Sequence, residues 1–168
     1  MALRIGKLFA LTPLAMLVSC SQEPATLSHG TPQQLMANEV QPTAEIYWSA
    51  VGAISELIDG VSVFREFEPE TDEEWQAVAD SAVKLRELGA VLASPEYSEG
   101  RGDAWLDFAQ GLQDVSRQAE QAAIDKDVEA VFEVGGTLYN VCSACHQAYP
   151  PAELEPGVVA EPVVNDDA

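Results

Sequence analysis

Apolar residues recur at intervals of three and four over most of residues 31–149, a spacing that predicts amphipathic helices. We find neither the alternation typical of strands nor an internal repeat of fixed period. Helices of about 20 residues joined by short connections predict an all-α fold, an antiparallel up-down-up-down four-helix bundle. The four helical segments run from Thr31 to about Ile58, from Thr71 to Ser94, from about Gly102 to about Ala122, and from Asp127 to Tyr149.

Residues that start or break helices support these limits. Thr31 and Thr71 each stand three residues before a Gln or Glu, which is the arrangement of a capping box. Pro42 lies inside the first segment, where it lacks an N–H to donate and its ring clashes with the carbonyl one turn back. We therefore expect the first helix to kink near Asn38.

The N-terminus has the pattern of an export signal. Arg4 and Lys7 precede an apolar run over residues 8–18 that is too short to span a bilayer permanently. The run ends in Leu17-Val18-Ser19-Cys20, which resembles the bacterial lipobox, so we expect a signal peptide at 1–19, a lipid on Cys20 and a tether at 20–30. The alternative is an ordinary secretory signal cleaved after a small residue. Both interpretations place the protein outside the cytosol. With the lipid, we expect a periplasmic protein anchored to a bacterial membrane. The outer membrane is favoured, because Ser21 replaces the Asp that is associated with retention in the inner membrane.

The charge balance is strongly acidic. The chain has 28 acidic and 8 basic residues, a formal net charge of −20, and loss of residues 1–19 with Arg4 and Lys7 would lower it to −22. Nucleic acid is therefore excluded as a partner, and the carboxylates are expected to form a solvated surface. A protein partner is expected to present a basic docking patch. The tail at 150–168 has four prolines and an acidic end, so we predict that it is disordered.

The sequence Cys142-Ser143-Ala144-Cys145-His146 carries the candidate chemistry. Two thiols three residues apart share one helical face, where they can add to the two vinyl groups of a haem, and His146 can then bind the iron. The chain has three cysteines and two histidines, so chance assembly of this pattern is improbable. We predict one covalently bound haem c per chain.

Three other interpretations of these residues remain open. A structural zinc site needs four ligands, and only His29 could join the two thiols and His146. A thioredoxin-type dithiol requires a helix N-terminus that lowers the thiol pKa, whereas Cys142 and Cys145 lie near a helix C-terminus. The third interpretation is a haem-free bundle with two buried core cysteines. The chain has no nucleophile elbow and no clustered catalytic motif, so we do not expect an enzyme.

A helical bundle with this motif near the end of its last helix resembles the class II c-type cytochromes, the cytochrome c prime and cytochrome c-556 family. The resemblance covers residues 31–149 and includes the continuation Gln147-Ala148-Tyr149 and the pair Leu35-Met36. It implies covalent haem, proximal iron ligation by His146, frequent homodimers, and either electron transfer or binding of small gases such as nitric oxide or carbon monoxide. Two positions depart from the family pattern: Pro150 stands where a basic residue is common, and the first helix lacks an Arg near the haem propionates.

The bundle topology predicts which residues surround the haem. In this arrangement the end of the fourth helix lies level with the start of the first, the end of the second and the start of the third. Trp48 and Trp75 are expected at the far end, away from the haem. Arg101 is the first choice for pairing with the propionates and Arg86 the second, although Arg101 could equally serve only the turn around it. The expected pocket residues are Leu35, Met36, Val40, Leu88, Leu92, Trp105 and Phe108.

Met36 is the candidate sixth ligand of the iron, because it is the only methionine left once residues 1–19 are removed. Ligation by His146 and Met36 raises the reduction potential and favours electron transfer. In the alternative, Met36 only fills core space and Leu35 covers a five-coordinate iron, which favours gas binding.

Overall fold

The computed structural model describes residues 27–151 of the chain. Residues 1–19 and Cys20, predicted as signal peptide and lipidation site, and most of the predicted tail lie outside the described residues. The elements are α1 (Pro32–Leu35), a π-helical turn (Met36–Val40), α2 (Gln41–Trp48), β1 (Gly52–Ile58), β2 (Val61–Phe67), α3 (Asp72–Ala93), α4 (Pro95–Ser98), α5 (Asp103–Ile124) and α6 (Val128–Ala148). None of the helices within the described range combines the length and hydrophobicity needed to cross a membrane.

The predicted all-α four-helix bundle is wrong, because the chain is a mixed α and β protein with a two-stranded antiparallel sheet. The strands β1 and β2 pair from Ile58↔Val61 to Gly52↔Phe67. Asp59 and Gly60 join them with φ values of 50° and 81°, the two positive angles of a type I′ turn, whose twist matches that of the strands. This hairpin replaces the last turns of the predicted first helix, which ends at Trp48.

The predicted helix starts are confirmed. Thr31 and Thr71 form complete capping boxes with Gln34 and Glu74. Asp127 accepts a hydrogen bond from the Ala130 N–H and caps α6, and Gly102 precedes α5. These caps satisfy N–H groups that have no partner inside the helix, which explains why they mark the helix limits.

The distortion expected from Pro42 takes the form of the π-helical turn. The Gln41 N–H donates to the Met36 carbonyl, five residues back, so the turn at Met36–Val40 carries one extra residue. Pro42 lacks an N–H and crowds the carbonyl one turn back, which favours a widened turn before it. The widened turn sets the orientation of Met36 relative to α2.

The core lies where α3 packs along α5, with α6 on α5 and α2 on α3. Helices α2 and α6 approach closely at Gly135, where an added Cβ would lie 3.5 Å from Trp48 Cδ1. The Trp48 Nε1–H donates to the Gly135 carbonyl at 3.0 Å. The neighbouring Tyr47 hydroxyl donates to the Ala119 carbonyl at 3.4 Å, and burial raises the Tyr47 pKa to about 12. These contacts fix α2 against α6 beside the cavity described next.

Candidate functional site

A cavity of about 610 Å³ opens between the first helical segment, α5 and the end of α6. It runs along α6 from the level of His146 to that of Tyr139, and most of its surface is apolar. Its lining residues are Met36, Val40, Gln41, Ala44, Glu45, Trp48, Leu92, Trp105, Phe108, Ala109, Leu112, Tyr139, Val141, Cys142, Ser143, Cys145, His146 and Gln147.

Both thiols and the imidazole of the predicted motif border this cavity. Cys142 and Cys145 are free, half-buried thiols in the last turns of α6, and His146 is exposed next to them. Burial raises the pKa of both thiols, and the neighbouring Cys145 raises that of Cys142 further. A redox-active dithiol needs the opposite shift, so the thioredoxin interpretation loses its chemical basis.

Met36, on the first helical segment, borders the same cavity. It also lines a second cavity of about 600 Å³, shared with Cys145, His146, Arg101 and Trp105. Because it lies between these two cavities, the half-buried Met36 is accessible from both sides. The structure therefore brings together Met36 and His146, as the sequence predicts.

Two expected pocket residues do not reach the cavity. Leu35 and Leu88 are each 0% exposed and lie in the core, and neither lines the cavity. Successive side chains of a helix differ by about 100° in direction, so Leu35 faces the core when Met36 faces the cavity. The prediction that Leu35 lines the site is wrong. Val40, Leu92, Trp105 and Phe108 line it as predicted.

The placement of Trp48 is also corrected, because it lines the cavity rather than the far end of the fold. The cavity extends along α6 instead of being confined to one end, and the Trp48 indole is bonded to the Gly135 carbonyl of α6. Its ring packs edge-on against Tyr139, with centroids 6.1 Å apart. Trp75 is buried elsewhere, as expected.

An aromatic cluster joins the end of α6 to the start of α5. Tyr149 packs edge-on against Trp105 and Phe108, with centroid distances of 5.1 and 6.3 Å. The Tyr149 hydroxyl donates to the Arg101 carbonyl at 2.9 Å, and the Trp105 Nε1–H donates to the Leu92 carbonyl at 2.7 Å. These bonds hold the wall of the cavity beside the CxxCH motif in one geometry.

Arg101 lies at the second cavity with its guanidinium 4.7 Å from the centre of the Trp105 ring. Its Nη1 donates to the Tyr97 carbonyl at 2.7 Å, which holds the side chain in place. Within residues 27–151 it forms no ion pair, whereas Arg86, the second choice for the propionates, is paired with Glu120. Arg101 is thus a cation beside the site that no carboxylate of the described residues neutralises.

His29 does not join the motif. Its Nδ1 lies 2.6 Å from Glu39 Oε1, and Lys84 Nζ lies 3.3 Å from the other oxygen of that carboxylate. Among residues 27–151, no three His, Cys, Asp or Glu side chains are arranged to hold a metal ion. The structure therefore does not place His29 with the two thiols and His146, as the zinc interpretation requires.

Several lining residues were missed by the sequence analysis. Tyr139 lies three residues before Cys142 and seven before His146, so its position on the same helical face could have identified it. Gln41 lies five residues after Met36 and shares the cavity only because of the π-helical turn, which regular helical periodicity does not predict.

Comparison of the chain with protein-family models, with curated proteins and with solved structures finds no match to any of them. The assignment of function therefore depends on the geometry of this site.

Proposed function

We propose that this chain is an electron-transfer cytochrome of the periplasm, anchored by a lipid on Cys20, with one haem c attached through Cys142 and Cys145 and with His146 as proximal iron ligand. The observation that carries the proposal is one cavity bordered by both thiols and His146 on α6 and by Met36 on the first helical segment. When bound, haem supplies one-electron redox chemistry at its iron. The protein supplies attachment, axial ligands and exclusion of water.

The residues present fit this group. A volume of about 610 Å³ is within the range of cofactor sites, about 300–1,000 Å³. The lining is mainly apolar and aromatic, which suits a flat macrocycle, and Trp105 is held rigidly by its bond to Leu92. The raised pKa keeps the thiols of Cys142 and Cys145 protonated and reduced until they are used, which suits thioether formation.

Met36 favours electron transfer over gas binding. A thioether opposite His146 would occupy the position that a gas needs and would raise the reduction potential. The aliphatic residue that would cover a five-coordinate iron in the gas-binding alternative was expected to be Leu35, and its burial in the core counts against that alternative.

Arg101 is the residue that we assign to the propionates. Two added carboxylates on a strongly acidic protein need a nearby cation, and the guanidinium of Arg101 borders the cavity shared with His146 and Met36. Stacking on Trp105 and the bond to Tyr97 fix its position, so little conformational entropy is lost on pairing.

Optical spectra of the purified holoprotein, with and without carbon monoxide, test this function. We expect a low-spin ferric form and a ferrous form whose spectrum does not change on addition of the gas. A high-spin ferric form together with a ferrous carbon monoxide complex would contradict electron transfer through a six-coordinate iron and would support the gas-binding alternative.

A further inference from the structure

The hairpin exposes apolar side chains on both of its faces. Leu57, Val61 and Phe64 are 76%, 64% and 65% exposed, and Ile54, Ile58 and Phe67 are also exposed. The two strands contact each other extensively and the helices only sparsely. A sheet normally buries one face against its own core, so this hairpin has no covering element within the described residues.

Both edges of the hairpin are also unpaired within residues 27–151, since the sheet has two strands. Because the turn has two residues, alternate residues of each strand direct their N–H and C=O groups away from the other strand. On β2 these residues are Ser62, Phe64 and Glu66. No proline or bulge interrupts this edge. Such an edge can accept an added strand.

A cleft at the base of the hairpin adds a charge preference. It has a volume of about 700 Å³ and lies between the end of β2 and the start of α6. Apolar side chains line part of the cleft, those of Val51, Phe67, Val128 and Phe132. Four glutamates line it as well: Glu66, Glu68, Glu70 and Glu129. Glu66, one of the residues whose backbone faces outward at the edge of β2, lines this cleft.

We infer that the hairpin is a docking arm for a partner protein, which adds an extended strand of alternating apolar and basic residues to the edge of β2. The apolar side chains of that strand cover Val61 and Phe67 on one face of the hairpin. Its lysine or arginine side chains lie on the face of Glu66 and enter the cleft with the four glutamates. Backbone hydrogen bonds provide affinity, and the charges select the partner.

Two other occupants fit the surface less well. A second copy of the chain would bring a second set of the same glutamates to the cleft, which costs energy through repulsion of like charges. A membrane would have to accommodate Asp59 at the tip of the hairpin.

The hairpin also lies at the start of α6, about 25 Å by helix rise from the CxxCH motif. Ser28, near the start of the described residues, lies at the end of the fold that carries the CxxCH motif, where it bonds to Glu96.

The inference is independent of haem and can be tested on the purified holoprotein. The probe is a capped synthetic peptide of eight residues in which valine and lysine alternate, and its binding is measured by calorimetry. We expect saturable binding that weakens as salt is added. Two further peptides of the same sequence carry N-methyl groups on either the valine or the lysine amides. One of the two should bind at least tenfold more weakly than the other, because only alternate residues complete the ladder.

Matched variants locate the edge. Ser62→Pro removes an outward N–H from β2 and should weaken binding at least tenfold, whereas Ser55→Pro makes the same change on the opposite edge and should leave it unchanged. If proline unfolds the hairpin, Val61→Thr on the arm and Ile124→Thr on α5, both at exposed positions, provide the same contrast. The double variant Glu68→Gln and Glu70→Gln should reduce the salt dependence.

Three results would overturn the inference. One is the absence of saturable peptide binding, or equal binding by all variants. The second is a concentration-dependent dimer, detected by light scattering, that Ser62→Pro abolishes, since a second copy would then be the occupant. The third is binding to phosphatidylglycerol vesicles that Leu57→Thr abolishes, which would identify a membrane surface instead.

Discussion

At the scale of single residues, and under the proposed function, Met36 is the residue that distinguishes electron transfer from gas binding. Met36→Ala should give a high-spin ferric iron, a lower reduction potential and a gain of at least tenfold in carbon monoxide affinity, about 1.4 kcal/mol. Optical titration and redox potentiometry measure these changes. Val40→Ala is the matched control, since it shortens a side chain of the same cavity that cannot bind iron. If Met36→Ala leaves spectrum and affinity unchanged, Met36 is not a ligand.

Arg101 gives a second prediction at this scale. A cation near the haem stabilises the reduced form, so Arg101→Ala should lower the reduction potential and raise the propionate pKa, which moves the pH dependence of the potential to higher pH. Arg117→Ala is the control, because Arg117 is exposed and pairs with Asp114 on α5. Equal effects of the two substitutions on potentiometric titrations would contradict pairing with the propionates.

The grouping of Cys142, Cys145 and His146 could be predicted from the sequence, because it depends on local spacing along one helix. That Met36 borders the same cavity could be predicted only from the expected packing of the first helical segment beside the end of α6. The rotation of Leu35 away from the cavity could not be predicted, since a shift of one residue around a helix depends on the π-helical turn that follows it.

The hairpin shows, at the scale of elements, where the sequence was misinterpreted. Ile54 and Leu57 have helical spacing, which predicts the end of the apolar stripe of the first helix. The same segment contains Asp59-Gly60, the strongest short-range signal for a type I′ hairpin, and is rich in β-branched and aromatic residues. The segment therefore carries both a helical pattern and a hairpin pattern. The hairpin forms, because Asp59 and Gly60 adopt the positive φ angles that a type I′ turn requires.

The π-helical turn carries Glu39, whose carboxylate accepts from His29 and pairs with Lys84. These contacts, the hydrogen bond to His29 first, hold the pKa of Glu39 below its usual value near 4.5. A carboxyl with a lowered folded-state pKa stabilises the fold above the unfolded-state pKa, and this stabilisation is lost as pH falls through the folded-state value.

Glu39→Gln should therefore reduce the free energy of unfolding at pH 7 by up to about 1 kcal/mol. This difference from the native chain should vanish as the pH falls below the folded-state pKa of Glu39. Urea unfolding between pH 3 and pH 7 measures it. Glu87→Gln, at an exposed position of α3 that forms no ion pair within residues 27–151, should show no such dependence. A difference for Glu39→Gln that does not decrease as the pH falls would contradict this assignment.

The approach of α2 to α6 gives a prediction about the tryptophans. Trp48 and Trp105 line the cavity and Trp75 does not, so haem should quench the fluorescence of the first two strongly. Three variants that each retain one tryptophan separate the contributions, with Trp75 as the internal control. Unquenched emission from Trp105 in the holoprotein would show that haem does not occupy this cavity.

Charge is the property of the whole molecule that shapes its encounters with other proteins. The formal net charge is −20, so attraction to a basic redox partner acts over long distances and is screened by salt. The rate of electron exchange with a basic redox protein should fall several-fold as ionic strength rises, whereas the rate with an acidic one should rise. Stopped-flow rates that do not respond to salt would contradict electrostatic steering.

The central claim is that Cys142 and Cys145 hold haem covalently in this fold. The most direct test is a pyridine haemochrome spectrum and intact mass of the denatured protein, produced outside the cytosol together with a haem-attachment apparatus. We predict one haem retained per chain with the spectrum of two thioether bonds, and loss of that haem when both Cys142→Ala and Cys145→Ala are present. A denatured chain with both cysteines intact and no haem attached would contradict the claim.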